Sequence, residues 1–126
     1  MVKGVGVDLC SISRIRNILD REGPEGAFFR RAFSDAEQEE ASLRHDLASF
    51  YAARFAVKEA VYKAVAPLTK NGFDLRIVES VHRPDGSPVV RITDALQPYL
   101  EESGIGTLHL SITTEGDYAA AFVIAE

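Results

Sequence analysis

The stretch Phe50-Tyr51-Ala52-Ala53-Arg54-Phe55-Ala56-Val57-Lys58-Glu59-Ala60-Val61-Tyr62-Lys63-Ala64-Val65 holds no glycine and no proline and is rich in alanine, so it reads as a helix. At about 100° per residue, Phe50, Ala53, Val57, Ala60, Val61 and Ala64 fall on one stripe. Tyr51, Phe55 and Tyr62 make a second arc. Only Arg54, Lys58, Glu59 and Lys63 are charged, and a helix apolar nearly all round belongs in a core. Charges on such a helix need partners. Glu59 and Lys63, one turn apart with the acid first, fit an internal pair on a partly solvated edge. Arg54 and Lys58 repel each other at the same spacing and call for water or an anion, phosphate being a common one.

The 126 residues predict one domain, 1–126, able to bury roughly two thirds of its unfolded surface. Apolar content of 46% and charged content of 26% are ordinary globular values. A net charge of −5 without a basic run argues against a nucleic-acid partner. A single cysteine, Cys10, rules out an internal disulfide framework and suits a reducing compartment. There is no signal peptide and no membrane-spanning stretch, so a soluble cytoplasmic protein is expected. His45, His82 and His109 stand far apart with no cysteine partners, which gives zinc little support.

Working outward from the helix, Val2 to Leu9 alternates as a half-buried strand, with Val5, Val7 and Leu9 on one face and Gly4, Gly6 and Asp8 on the other. Glycines in a strand mark close approach of a backbone or a ligand, so Asp8 ends a cleared strip; it could also cap the next helix. Ser11 or Ser13 can cap a helix to about Arg21 that buries Ile12, Ile15, Ile18 and Leu19 and exposes Arg14 and Arg21. From Arg14 to Arg31 there are five arginines against three acids, an excess that suits an acidic partner or a solvated surface. Ser34-Asp35-Ala36-Glu37 is a capping box opening a third helix, whose acids Glu37, Glu39 and Glu40 read as a solvated face. After the long helix, Ala66-Pro67 stops it and Asn71-Gly72 turns the chain. Phe73 to Val81 and Val89 to Ile92 read as strands joined at Pro84-Asp85-Gly86. A short helix from Thr93 or Asp94 to about Gly104 precedes strands at 108–113 and Tyr118–Ile124, joined at Glu115-Gly116-Asp117. The expected class is α+β, with a mostly antiparallel sheet packed against the long central helix.

Were the strand of Asp8 packed beside the long helix, Asp8 and Glu59 would bring two carboxylates to one point. Two carboxylates without His or Cys suit Mg²⁺, which keeps waters and leaves positions for substrate phosphates. Arg54, Lys58 and Lys63 would then offset a pyrophosphate.

Gly4-Val5-Gly6-Val7-Asp8-Leu9 followed by Ile12 and Arg14-Ile15, together with Arg54-Phe55-Ala56-Val57-Lys58-Glu59-Ala60-Val61-Tyr62-Lys63-Ala64, resemble the two signature motifs of the holo-acyl-carrier-protein synthases, the small 4′-phosphopantetheinyl transferases. The resemblance extends to Asp85-Gly86-Ser87-Pro88, His109-Leu110-Ser111-Ile112 and Tyr118-Ala119-Ala120-Ala121. It implies transfer of the phosphopantetheine arm of coenzyme A to a serine of an apo acyl carrier protein, with release of adenosine 3′,5′-bisphosphate. It also implies that Asp8 and Glu59 hold Mg²⁺, that Glu59 and Lys63 act in catalysis, and that Lys63 and Arg54 meet coenzyme A phosphates. Arg14, with Arg21 on the same stripe, would meet the acidic carrier, and the implied assembly is a homotrimer with active sites at subunit boundaries. Three positions depart from the family pattern: Ala66-Pro67-Leu68-Thr69 where a Gly-Thr-Gly type loop is usual, Thr114 in place of a histidine, and Ser87 in place of a lysine. The alternative expectation is a non-catalytic module of the same fold that binds coenzyme A or an acyl carrier.

Overall fold

The alanines that make residues 47–65 a good helix also let other backbones come close to it. In the computed structural model, which describes all 126 residues, that helix is α4 (Leu47–Val65), started three residues earlier than its apolar stripe by an Asp46 N-cap. Strand β1 (Gly4–Ser11) lies directly on it. A side chain at Gly4 would overlap the Ala64 carbonyl oxygen, and one at Gly6 the Ala60 carbonyl oxygen. The glycine face is therefore the inward one, and the approaching backbone is the helix's own.

The opposite face of β1 is bare. Val5, Val7 and Leu9 are 53%, 57% and 62% exposed, beside Phe122 and Tyr118 of β5 (Tyr118–Ala125). β5 pairs antiparallel with β1 and with β4 (Leu108–Glu115), giving a three-stranded sheet of order β1-β5-β4. The inward residues of β5, Ala119, Ala121, Val123 and Ala125, are small and buried, which brings the sheet close to α4.

Helix α1 (Ile12–Glu22) buries Ile12, Ile15 and Ile18, with Leu19 only partly buried, and Ser11 caps it. Helix α2 (Ala27–Ala32) was not visible in the sequence pattern, because Gly23-Pro24 masks its start; Phe29 and Ala32 bury it. Helix α3 (Asp35–Ala41) opens on the expected capping box. Beyond α4 the chain makes a 3₁₀ turn at Ala66–Leu68 before leaving the helix axis. Residues 73–78 are not a strand: Asp74 caps a 3₁₀ turn at Leu75–Ile77, and only β2 (Glu79–His82) pairs with β3 (Pro88–Arg91), as a separate hairpin. Helix α5 (Gln97–Ser103) begins later than Thr93 and ends at Gly104, whose φ of 71° is left-handed. The architecture is α+β, with antiparallel strands packed on one long helix. No helix is long and apolar enough to cross a membrane.

Candidate active site

Asp8 points to the same side of β1 as the two glycines, along the strip that they clear toward α4. There Lys63 Nζ donates to Asp8 Oδ1 at 3.2 Å and to the Val7 carbonyl at 2.9 Å. Lys63 thus turns to β1 instead of forming the helical pair with Glu59, because β1 offers it two acceptors. Asp8 does not cap α1 either, since Ser11 Oγ accepts from the Arg14 N–H.

Glu59, one turn before Lys63, is partly buried. Burial pushes its carboxyl above the ordinary range, the negative charge of Asp8 adds to the rise, and Lys63 and Arg14 oppose it. Asp8, Lys63 and Arg14 are therefore near enough to act on the charge of Glu59. A carboxylate whose ionisation is opposed by a neighbouring carboxylate is a place where a cation is stabilised. No third His, Cys, Asp or Glu joins them. This donor set is too small to cage an ion such as Ca²⁺, but it fits Mg²⁺, which takes one or two carboxylates and retains water.

The turn between β4 and β5 fixes the start of α1. Asp117 accepts from Ser11 Oγ at 2.8 Å, Ser13 Oγ at 2.7 Å and the Ser13 N–H at 2.9 Å. Nothing in the sequence flags this clamp, which joins residues more than a hundred positions apart and sets where Arg14 emerges. Arg21, on the same helix, is exposed and pairs loosely with Glu22 at 3.5 Å. Cys10 sits behind the carboxylates, and burial pushes its thiol up to about 11, so it is no nucleophile.

Past Lys63 the loop after α4 borders an open cavity of about 440 Å³ whose polar lining includes Lys63, Thr69, Lys70 and Asn71 and no acid. Gly72, at φ 69°, closes against the Tyr62 hydroxyl, where a side chain would collide. The loop that departs from the family pattern is thus still folded onto the helix end and still presents positive charge.

Arg54 and Lys58, expected at the phosphates, are elsewhere. Lys58 is 1% exposed; its ammonium meets Glu37 Oε1 at 2.6 Å and donates to the Leu75 and Val78 carbonyls. Arg54 donates to the Ser80 carbonyl, meets Glu40 at 3.2 Å and lies over the Phe50 ring at 4.9 Å. The anion that this pair of cations needs comes from α3. Glu37, read as part of a solvated face, is instead 3% exposed and carries the inner ion pair.

Residues 4–123 match the model of the 4′-phosphopantetheinyl transferase superfamily. A holo-acyl-carrier-protein synthase from Desulforudis audaxviator (strain MP104C) is 41% identical over 125 residues, covering 99% of this chain and 93% of the relative. The crystal structure of the holo-acyl-carrier-protein synthase from Neisseria meningitidis superposes with a TM-score of 0.86 at 34% identity, over 100% of this chain and 99% of that one. The Bacillus anthracis holo-acyl-carrier-protein synthase in complex with CoA (3′,5′-ADP) superposes with a TM-score of 0.73 at 27% identity, over 99% of this chain and 96% of that one.

Proposed function

This chain belongs to the 4′-phosphopantetheinyl transferase superfamily, and from that premise we propose that it moves the 4′-phosphopantetheine arm of coenzyme A onto a serine of an apo acyl carrier protein. The serine oxygen attacks the phosphorus bearing the pantetheine, the pyrophosphate bond breaks, and adenosine 3′,5′-bisphosphate leaves. The observation that carries this reading is that Asp8 acts on the charge of Glu59 while Lys63, which donates to Asp8, also lines the acid-free cavity with Lys70.

Asp8 and Glu59 would hold Mg²⁺, which supplies charge stabilisation for a phosphoryl group in transfer. Lys63, already extended over the strip, can exchange its contact with Asp8 for a phosphate oxygen and neutralise the diphosphate as the leaving group departs. Lys58 and Arg54 bind no phosphate in this reading; they hold α3 and the 75–78 turn against the helix that carries Glu59. The serine proton leaves to a base in this cluster, and the pH dependence of the rate distinguishes a carboxylate, Lys63 and water in that role. Arg14 and Arg21, both exposed on α1, face outward to meet an acidic carrier.

A homotrimer is part of the same proposal. The bare row of Val5, Val7 and Leu9 with Phe122 is an apolar surface that a lone chain would leave in water, and it backs directly onto the strand that carries Asp8. The setting is a cytoplasmic enzyme of fatty acid synthesis.

The test is incubation with coenzyme A, Mg²⁺ and an apo carrier, with intact-mass spectrometry of the carrier. A gain of the phosphopantetheine mass that needs Mg²⁺ and disappears with Asp8→Ala and Glu59→Ala is expected. Coenzyme A binding that persists without Mg²⁺, with no product on any carrier, would instead make the chain a binding module.

A further inference from the structure

Arg30 and Arg31 were part of the arginine excess in the sequence, and the site above uses neither. Both are exposed on α2, and no carboxylate stands within ion-pair distance of either. The fold adds a third arginine from 45 positions away. Arg76, on the 3₁₀ turn against which α2 packs, is clamped by Asp74, its Nε donating to both carboxylate oxygens at 3.2 and 3.1 Å and its Nη2 to Oδ2 at 2.7 Å. That clamp fixes the guanidinium plane and leaves its other edge free.

Arg30, Arg31, Arg76 and Asp74 line one open cavity of about 380 Å³, with Ala27 as its only apolar residue. Three cations against one anion leave it positive, and with so little apolar lining it has nothing with which to hold an aromatic or aliphatic body. Planar guanidinium forks in such a place take carboxylates in bidentate fashion. Arg31 also stands with Arg21 on the rim of the neighbouring apolar groove between α1, α2 and α4. The arginines therefore run Arg21, Arg31, Arg30, Arg76 along this face, with Glu22 beside Arg21 and Asp74 on Arg76, on a chain of net charge −5. On the far side Glu25 and Asp35 line a second cavity together with Arg30 and Arg76, two acids against two arginines, so the excess of positive charge ends at this point. A long polyanion would meet repulsion beyond it, whereas a protein with separate surface carboxylates would not.

We propose that Arg30 and Arg76 form a second carboxylate-recognition point for the acidic carrier, beyond Arg14 and Arg21, which sets how tightly and in what orientation the carrier docks. This rests on the transferase reading above. Charges at the rim of an interface act on encounter rate and salt dependence more than on chemistry.

The experiment compares wild type, Arg30→Glu, Arg30→Lys and the double variant Arg30→Glu/Arg76→Glu, using an apo acyl carrier protein labelled for anisotropy as well as steady-state transfer. Both positions changed carry exposed side chains. The double variant should raise Kd and KM for the carrier about tenfold at low salt. Its kcat and its KM for coenzyme A should stay at the wild-type value, high salt should close the gap, and Arg30→Lys should retain most of the binding. Unchanged carrier affinity in the double variant overturns the proposal. So does an equal rise in KM for coenzyme A, which would mark the cavity as part of the nucleotide site, or a loss that persists at high salt, which would mark it as packing. A wild-type protein that modifies no carrier would refute the transferase reading, and the anisotropy comparison would still judge the arginines.

Discussion

Helix α4 carries its charges in two settings that differ in access to water. Toward its C-terminal end, Glu59 and Lys63 open onto β1 and a solvent cavity, and Lys63 makes one 3.2 Å contact with Asp8. Toward its middle, Arg54 and Lys58 are enclosed by α3 and the 75–78 turn, and each ammonium or guanidinium group is matched by a carboxylate and a backbone carbonyl. In the closed setting the counter-charge is built in, and the pair serves the fold. In the open one Asp8 and Glu59 share Lys63 and the charge of Arg14 with solvent, and under the proposed function the two acids would hold Mg²⁺. Under the proposed function the same motif divides into a structural half and a chemical half, decided by which neighbours cover it.

The sharpest way to break this division is Lys58→Met. It leaves Glu37 buried without its partner, already with one carboxylate oxygen that no hydrogen bond satisfies, and should cost about 3–5 kcal/mol in urea unfolding. Adding Glu37→Gln should return a good part of that loss, and the fraction that folds should still transfer. Glu59→Ala should do the reverse. Transfer should fall by a hundredfold or more, about 2.7 kcal/mol of transition-state stabilisation, while the melting temperature holds or rises because the acid repelled by Asp8 is gone. If Lys58→Met abolishes transfer in protein that remains folded, the assignment of Lys58 to the structural half fails.

Gly6→Ala tests the strip on which both halves depend. The added methyl meets the Ala60 carbonyl and must push β1 from α4, costing about 1–3 kcal/mol in thermal unfolding and separating Asp8 from Lys63. The smallest effect is expected from the α1 clamp. Hydrogen bonds from Ser13 and then Ser11 hold the Asp117 carboxyl below its usual value of 3.8. A depressed folded-state pKa contributes stability that is present above 3.8 and lost as pH falls through the lower folded value. Asp117→Asn should therefore melt slightly below wild type at neutral pH and match it in strong acid, with a modest rise in KM for the carrier as Arg14 loses its fixed position.

Much of this could be read along the chain. The capping box at Ser34, the alternation of β1 and the apolar cylinder of α4 are local patterns, and each element formed where its pattern lay. The strand expected over Phe73–Val81 forms only from Glu79, because Asp74 caps a tight turn before it and the carbonyls of Leu75 and Val78 accept from Lys58. That demand comes from a residue distant in sequence. Glu37 was misread for a similar reason: an acid beside other acids looks solvated until a helix is laid over it.

The sequence by itself determined the helix, the strip of glycines, the two motifs and hence the family, since propensity, period and motif spacing are properties of neighbours along the chain. Only the tertiary structure decided which cations remain free, because a charge is spent or available according to what packs against it. It buried Lys58 on Glu37, left Lys63 and Lys70 facing an acid-free cavity, and set Arg76 beside Arg30.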